Sequence, residues 1–258
     1  IANTMICSEN IATNTLLSVT GQGDAYAGAE AVTTFLTQLG LPYTFLTAPY
    51  EIPGVTPTPP TIPIRYPQTA ADQRKAAPNV TNQMTVDEMG YLLASMYQCG
   101  FEDSGALLTR FPAGAYTPQE CRKMLHVMAN NNVDALLKAG VPEGITVAHK
   151  HGWVADTHAN GGVFFTPGGD YVLVMLLHKP IWLEFEGESL PVFAEVSRTV
   201  YNWYNPGAPL AAIRAGLIPE ANTCQYRDSP LTQDLTDPLW GQTAPAVRGD
   251  IIKVGVAP

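Results

Sequence analysis

No stretch of the 258-residue sequence stays apolar for the roughly 18 residues that a membrane-spanning helix needs, so no membrane span is expected in this chain. Positive charge is scarce too: 14 Lys and Arg stand against 23 Asp and Glu, a formal net charge of −9. That balance excludes nucleic acid and anionic membrane surfaces as expected partners. Charged residues amount to only 14%, while Gly and Pro number 22 each. Such a low-charge, loop-rich surface fits a secreted protein, whether extracellular, periplasmic or at a cell surface. The four cysteines, Cys7, Cys99, Cys121 and Cys224, show no Cys-x-x-Cys spacing, which argues against a zinc site. His126, His149, His158 and His178 have no carboxylate at a ligand spacing, so neither metal nor cofactor is expected. An initiating Met is also lacking, and IANTMICSENIATNTLL reads as the inside of a helical region. Residue 1 is therefore taken as the start of a fragment or a processed chain.

What is present is a core. Hydrophobic residues make up 46%, enough for one or two domains. The strongest local pattern is Thr146–Lys179, which reads as three strands joined by tight turns: Thr146–Val154, a Gly-Gly-led strand from 161 to 166, and Tyr171–Leu177 after the turn Pro167-Gly168-Gly169-Asp170. This is an antiparallel meander. Its last strand has no polar side, so helices are expected on both faces. Helical spacing marks Ala29–Leu39, stopped by Gly40 after a loop over 21–28, and Ser189–Tyr204. Thr85 and Glu88 fit a capping box, and Thr117-Pro118-Gln119-Glu120 is a second helix start. Cys99 ends one of these helices and Cys121 begins the next. A disulfide closing that loop is expected in an oxidising compartment, with four buried free thiols as the alternative. Residues 42–78 are proline-dense and read as an extended excursion. Residues 206–258 read as an appendage with one strand in VRGDIIKVGV; the tripeptide Arg248-Gly249-Asp250 is too common to carry an adhesion reading. Trp153, Trp182, Trp203 and Trp240 are taken as packing or rim residues.

Two polar constellations interrupt the apolar pattern: Ser8-Glu9-Asn10, and Lys150-His151-Gly152 near the end of a strand. Taken singly, the first is often a helix cap and the second a solvated strand edge. In this order, and with NQMTVDEMGYLLASMY and the PGGDYVLVMLL strand around them, they resemble the serine β-lactamase and penicillin-binding protein superfamily, nearest its class A-like branch. That family is defined by Ser-x-x-Lys, Ser-Asp-Asn and Lys-Thr-Gly. The resemblance implies an α/β (α+β) fold of the β-lactamase/transpeptidase type, an antiparallel sheet flanked by helices with its N-terminal part missing from this chain. It covers residues 1–205 and leaves 206–258 as an extension. It implies a proton-relay hydroxyl at Ser8, a substrate-facing amide at Asn10, and a fixed cation at Lys150. It also implies backbone contacts to substrate along Gly152 and Trp153, with Trp153 as an oxyanion-hole donor. His151 stands where the family has Thr or Ser, and the expectation is that its ring binds the substrate carboxylate, more strongly when protonated at mildly acid pH.

Other departures matter. Glu9 replaces Asp. The nearest candidate for the family's deacylating Glu is Glu51, whose flanks do not match, which favours a peptidase-like or penicillin-binding role over efficient antibiotic hydrolysis. No Ser (8, 18, 95, 104, 189, 197, 229) has Lys three residues on. The expected activity is serine acyl transfer on a β-lactam or a peptidoglycan-like D-alanyl peptide, the nucleophile lying upstream of this chain or on its own N-terminal fragment as a separate chain. The alternative is a catalytically inactive relative serving as a cell-surface binding or assembly module.

Overall fold

The computed structural model describes residues 1–51, 82–131 and 133–214. Most of the proline-dense excursion, Cys224, Trp240 and the expected terminal strand lie outside them. Helices α1 (Ala2–Met5) and α2 (Asn10–Thr20) open the chain, with the polar Ser8-Glu9 turn between them. Helix α3 (Ala25–Leu39) starts four residues before the expected Ala29. Asp24 Oδ1 accepts the N–H groups of Tyr26 (2.8 Å) and Ala27 (3.3 Å), an N-cap that turns the expected loop into the first helical turn. Gly28 in that turn is a crossing point: a Cβ there would stand 1.9 Å from the Leu17 carbonyl oxygen of α2.

Strand β1 (Phe45–Leu46) pairs antiparallel with β2 (Asn82–Gln83). Just beyond β1, Asn14 of α2 grips the backbone of one residue on both sides, accepting the Tyr50 N–H and donating to the Tyr50 carbonyl, each at 2.8 Å. Helix α4 (Val86–Tyr97) follows, with Thr85 Oγ1 accepting the Glu88 N–H. The expected capping box is only half made. The buried Glu88 carboxylate instead accepts the Tyr43 N–H with both oxygens, at 3.0 and 3.1 Å. After the short α5 (Ala106–Thr109), helix α6 (Pro118–Ala129) has the complete box between Thr117 and Glu120. A disulfide joins Cys99 to Cys121 across the segment between α4 and α6, and Cys7 also stands in a disulfide.

The main sheet is the meander β3 (Thr146–Val154), β4 (Thr157–Phe165) and β5 (Tyr171–His178), antiparallel in that order. Strand β4 begins four residues before the expected Gly161, because Ala155-Asp156 is the entire turn and Val154 already pairs with Thr157. Helix α7 (Leu190–Tyr204) closes the fold. The sheet has two buried faces. Ala148, Val163 and Phe165 pack with α3, α4 and α6 through Leu36, Leu39, Leu93 and Leu125. Val147, Phe164 and Tyr171 pack with α7 and the turn at 136–140 through Leu136, Leu137, Phe193 and Tyr201. Strand alternation sends neighbouring residues of β3 to opposite layers, so the fold is three-layered, as expected. Trp182 and Trp203 are 58% and 84% exposed, so neither is a packing residue.

Candidate functional site

The two constellations, 142 residues apart in sequence, meet. Lys150 Nζ donates to Ser8 Oγ at 2.5 Å and to the His151 carbonyl at 2.6 Å. Ser8 is brought there by a left-handed backbone (φ 59°) between α1 and α2, a conformation that disfavours a residue with a Cβ. Glu9 holds the turn closed: its N–H donates to the Asn3 carbonyl and its carboxylate accepts Asn3 Nδ2, both at 3.1 Å. The longer acid thus keeps a structural role. Asn10, the first residue of α2, is exposed. Asn14 lies one turn further along the same helix face, so its grip on Tyr50 brings that segment alongside Asn10. Glu51 is exposed beside it.

On β3, Gly152 is exposed, and a Cβ there would meet nothing within 4 Å among the described residues. The His151 carbonyl is bonded to Lys150 Nζ. In an antiparallel strand the main chain two residues on faces the same way. The Trp153 main chain therefore faces the same way as the His151 carbonyl that Lys150 holds. The Trp153 side chain is a packing group, stacked on His151 (centroids 4.7 Å apart) and edge-on to Phe185.

His151 departs from expectation. Its side chain does not share the Lys150 face. It is buried on the opposite side of the sheet, with Nδ1 3.1 Å from Asn131 Oδ1. Burial, reinforced by the Lys150 cation, pushes its pKa down to about 2. The ring therefore stays neutral at mildly acid pH and is not placed to bind a substrate carboxylate; strand alternation is the physical reason. His149, two residues earlier on the same face, is fully buried and lowered to about 3, first by desolvation and then by Lys138 and Lys150. Gly162, its cross-strand partner, leaves the room: a Cβ there would stand 2.7 Å from the His149 Cβ. Lys150 itself is lowered to about 8 by burial.

The structure adds Asn131, Asn160 and Asn14 to this neighbourhood. Asn131 donates to the Met5 carbonyl at 2.9 Å and accepts the Val133 N–H at 3.0 Å. Asn160 donates to the Lys150 carbonyl and accepts the Leu137 N–H. An asparagine in a turn or strand carries no sequence mark of such a role; only the run Asn130-Asn131-Asn132 after α6 marks a polar helix end. No group of three or more His, Cys, Asp or Glu side chains suited to a metal exists among the described residues. None of their helices is long and apolar enough to cross a membrane.

Residues 1–204 match the beta-lactamase enzyme family. No curated protein matches the sequence. Among solved structures, the chain is similar to a PBP-A variant in an acyl-enzyme complex with penicillin G, at 20% identity and a TM-score of 0.55, covering 80% of this chain and 60% of that one. It is similar to the TLA-3 extended-spectrum β-lactamase at 19% identity and a TM-score of 0.52, covering 78% and 62%. A representative class A β-lactamase from Bacteroides cellulosilyticus matches at 18% identity and a TM-score of 0.55, covering 80% and 62%. The chain spans about 60% of the length of these structures.

Proposed function

The chain belongs to the beta-lactamase enzyme family, and from that premise we propose that it supplies the proton-relay and substrate-binding half of a serine acyl-transfer site, acting on a β-lactam or a D-alanyl peptide. The observation that carries this reading is the contact between Lys150 Nζ and Ser8 Oγ. Because the ammonium donates into the hydroxyl oxygen, the Ser8 proton is free to point elsewhere, towards the leaving nitrogen of an opening amide. Lys150 has three N–H donors, of which Ser8 and the His151 carbonyl take two. The third serves the substrate carboxylate, and a pKa near 8 keeps the group cationic at neutral pH yet able to exchange its proton cheaply. Asn10 presents its amide to the acyl side chain, and the strand at Gly152 and Trp153 receives the extended backbone of the substrate. The attacking serine comes from a segment outside this sequence, which has no Ser-x-x-Lys. The Cys99–Cys121 disulfide supports an oxidising compartment, hence a secreted or cell-surface location.

One observation favours a second reading, a non-catalytic binding or assembly module: the residue after Lys150 brings no hydroxyl to the site, its imidazole being turned to the other face. Labelling of the complete folded protein with a fluorescent penicillin separates the two. A covalent adduct is expected from the first reading; a folded protein that never forms one sinks it.

A further inference from the structure

Asn131 and Asn160 each hold a buried histidine of β3, and their amides are oriented by backbone groups whose roles are fixed. In Asn131, Oδ1 accepts the Val133 N–H (3.0 Å) and Nδ2 donates to the Met5 carbonyl (2.9 Å). The atom 3.1 Å from His151 Nδ1 is therefore an acceptor, so Nδ1 carries the proton. In Asn160, Oδ1 accepts the Leu137 N–H and Nδ2 donates to the Lys150 carbonyl. The atom facing His149 Nδ1, at 3.1 Å, is there a donor, so His149 is protonated at Nε2. That Nε2 has no partner among the described residues. The same two residue types, two positions apart on one strand, are locked into opposite tautomers.

The His151 link reaches further. Met5 ends α1, three residues before Ser8, and Asn131 is its tie to β3. His151 thus touches both halves of the site: its carbonyl holds the Lys150 ammonium, and its imidazole, through Asn131, holds the chain that leads to Ser8. Stacking on Trp153 fixes the ring in this pose. We infer that His151 and Asn131 are positioning residues, a hydrogen-bonded strut that sets the Ser8 turn at its distance from Lys150. The functional consequence rests on the acyl-transfer reading; the strut does not.

The test uses the complete protein with isotope-labelled histidine and lysine. His151 is expected to show a protonated Nδ1 and a bare Nε2, and Lys150 to titrate near 8. Asn131→Leu, of similar volume, and His151→Phe, which keeps a ring on Trp153, both cut the strut. In each, the Lys150 midpoint is expected to rise by about one unit as the released turn admits water to the ammonium. The limiting acylation rate at saturating penicillin is expected to fall roughly tenfold, with the half-saturating concentration little changed. A wild-type His151 protonated at Nε2 overturns the inference even if neither variant folds. So does an unmoved Lys150 midpoint in either variant that does fold. A wild-type protein that is never acylated defeats the acyl-transfer reading alone, since the tautomer and the lysine shift still decide the strut.

Discussion

The two faces of β3 are put to different uses. Lys150 and Gly152 look out on one side, one bonded to Ser8 and the other with open space where a side chain would be. His149, His151 and Trp153 look into the other, where imidazoles are neutral, stacked and tied to asparagines. One peptide step separates chemistry from scaffolding. A motif read along a strand as three consecutive residues is thus two residues on the site and one behind it, at least for side chains.

Four experiments break or sharpen that contrast. Lys150→Met keeps the chain length and removes the charge on the open face; penicillin labelling is expected to slow on the order of 10³-fold. The melting temperature should hold or rise, because burial disfavours the cation. Labelling at the wild-type rate would remove Lys150 from the site. Ser8→Gly deletes the proposed relay hydroxyl and also the left-handed strain of φ 59°. Labelling is expected to slow on the order of 10²-fold while urea denaturation shows a gain of roughly 1 kcal/mol. A matched pair of glycines compares the faces directly. Gly162→Ala drives a methyl against His149 and is expected to cost roughly 1–3 kcal/mol in urea denaturation. Gly152→Ala, facing open space, is expected to cost less than about 0.5 kcal/mol. Equal costs would mean that the two faces are equally crowded.

A further contrast is read through pH. His149 and His151 bind protons more weakly folded (about 3 and about 2) than unfolded (6.5), so between those values the unfolded chain holds more protons and stability rises with pH. Lys150 gives the same sign in a separate window, from about 8 to 10.5. Stability followed by denaturant midpoint should therefore climb from pH 3 to 6.5, flatten, and climb again above 8. His151→Phe should weaken the first rise and keep the second, shifted to start about one unit higher with the Lys150 midpoint; loss of the second altogether would assign the alkaline rise to the wrong group.

Local signals were legible where one residue type has one structural outcome. Thr117, Pro118 and Glu120 marked the start of α6, Gly40 the end of α3, and the alternation from Thr146 to Val154 the whole of β3. Signals decided by distant partners were not. Glu88 left its own helix start for the Tyr43 N–H, and Gly28 belonged to a helix crossing, whereas the Asp24 cap is a local signal. At the site, Ser8 and Lys150 stood out because a polar group amid apolar periodicity is conspicuous. The role of His151 depended on which side of a sheet its ring fell and on a carbonyl 146 positions earlier in the chain, at Met5. Alternation along β3 gives the side, but nothing in the residues around His151 encodes the distant tie to Met5.

The short ladder of Phe45–Leu46 with Asn82–Gln83, helped by the grip of Asn14 on Tyr50, works as a clasp on two stretches far apart in sequence. The entropy of closing a loop grows only with the logarithm of its length, about 0.6 kcal/mol for each doubling. Two residue pairs and one asparagine side chain therefore hold together positions that a clasp of the same strength would hold nearly as well at half the separation.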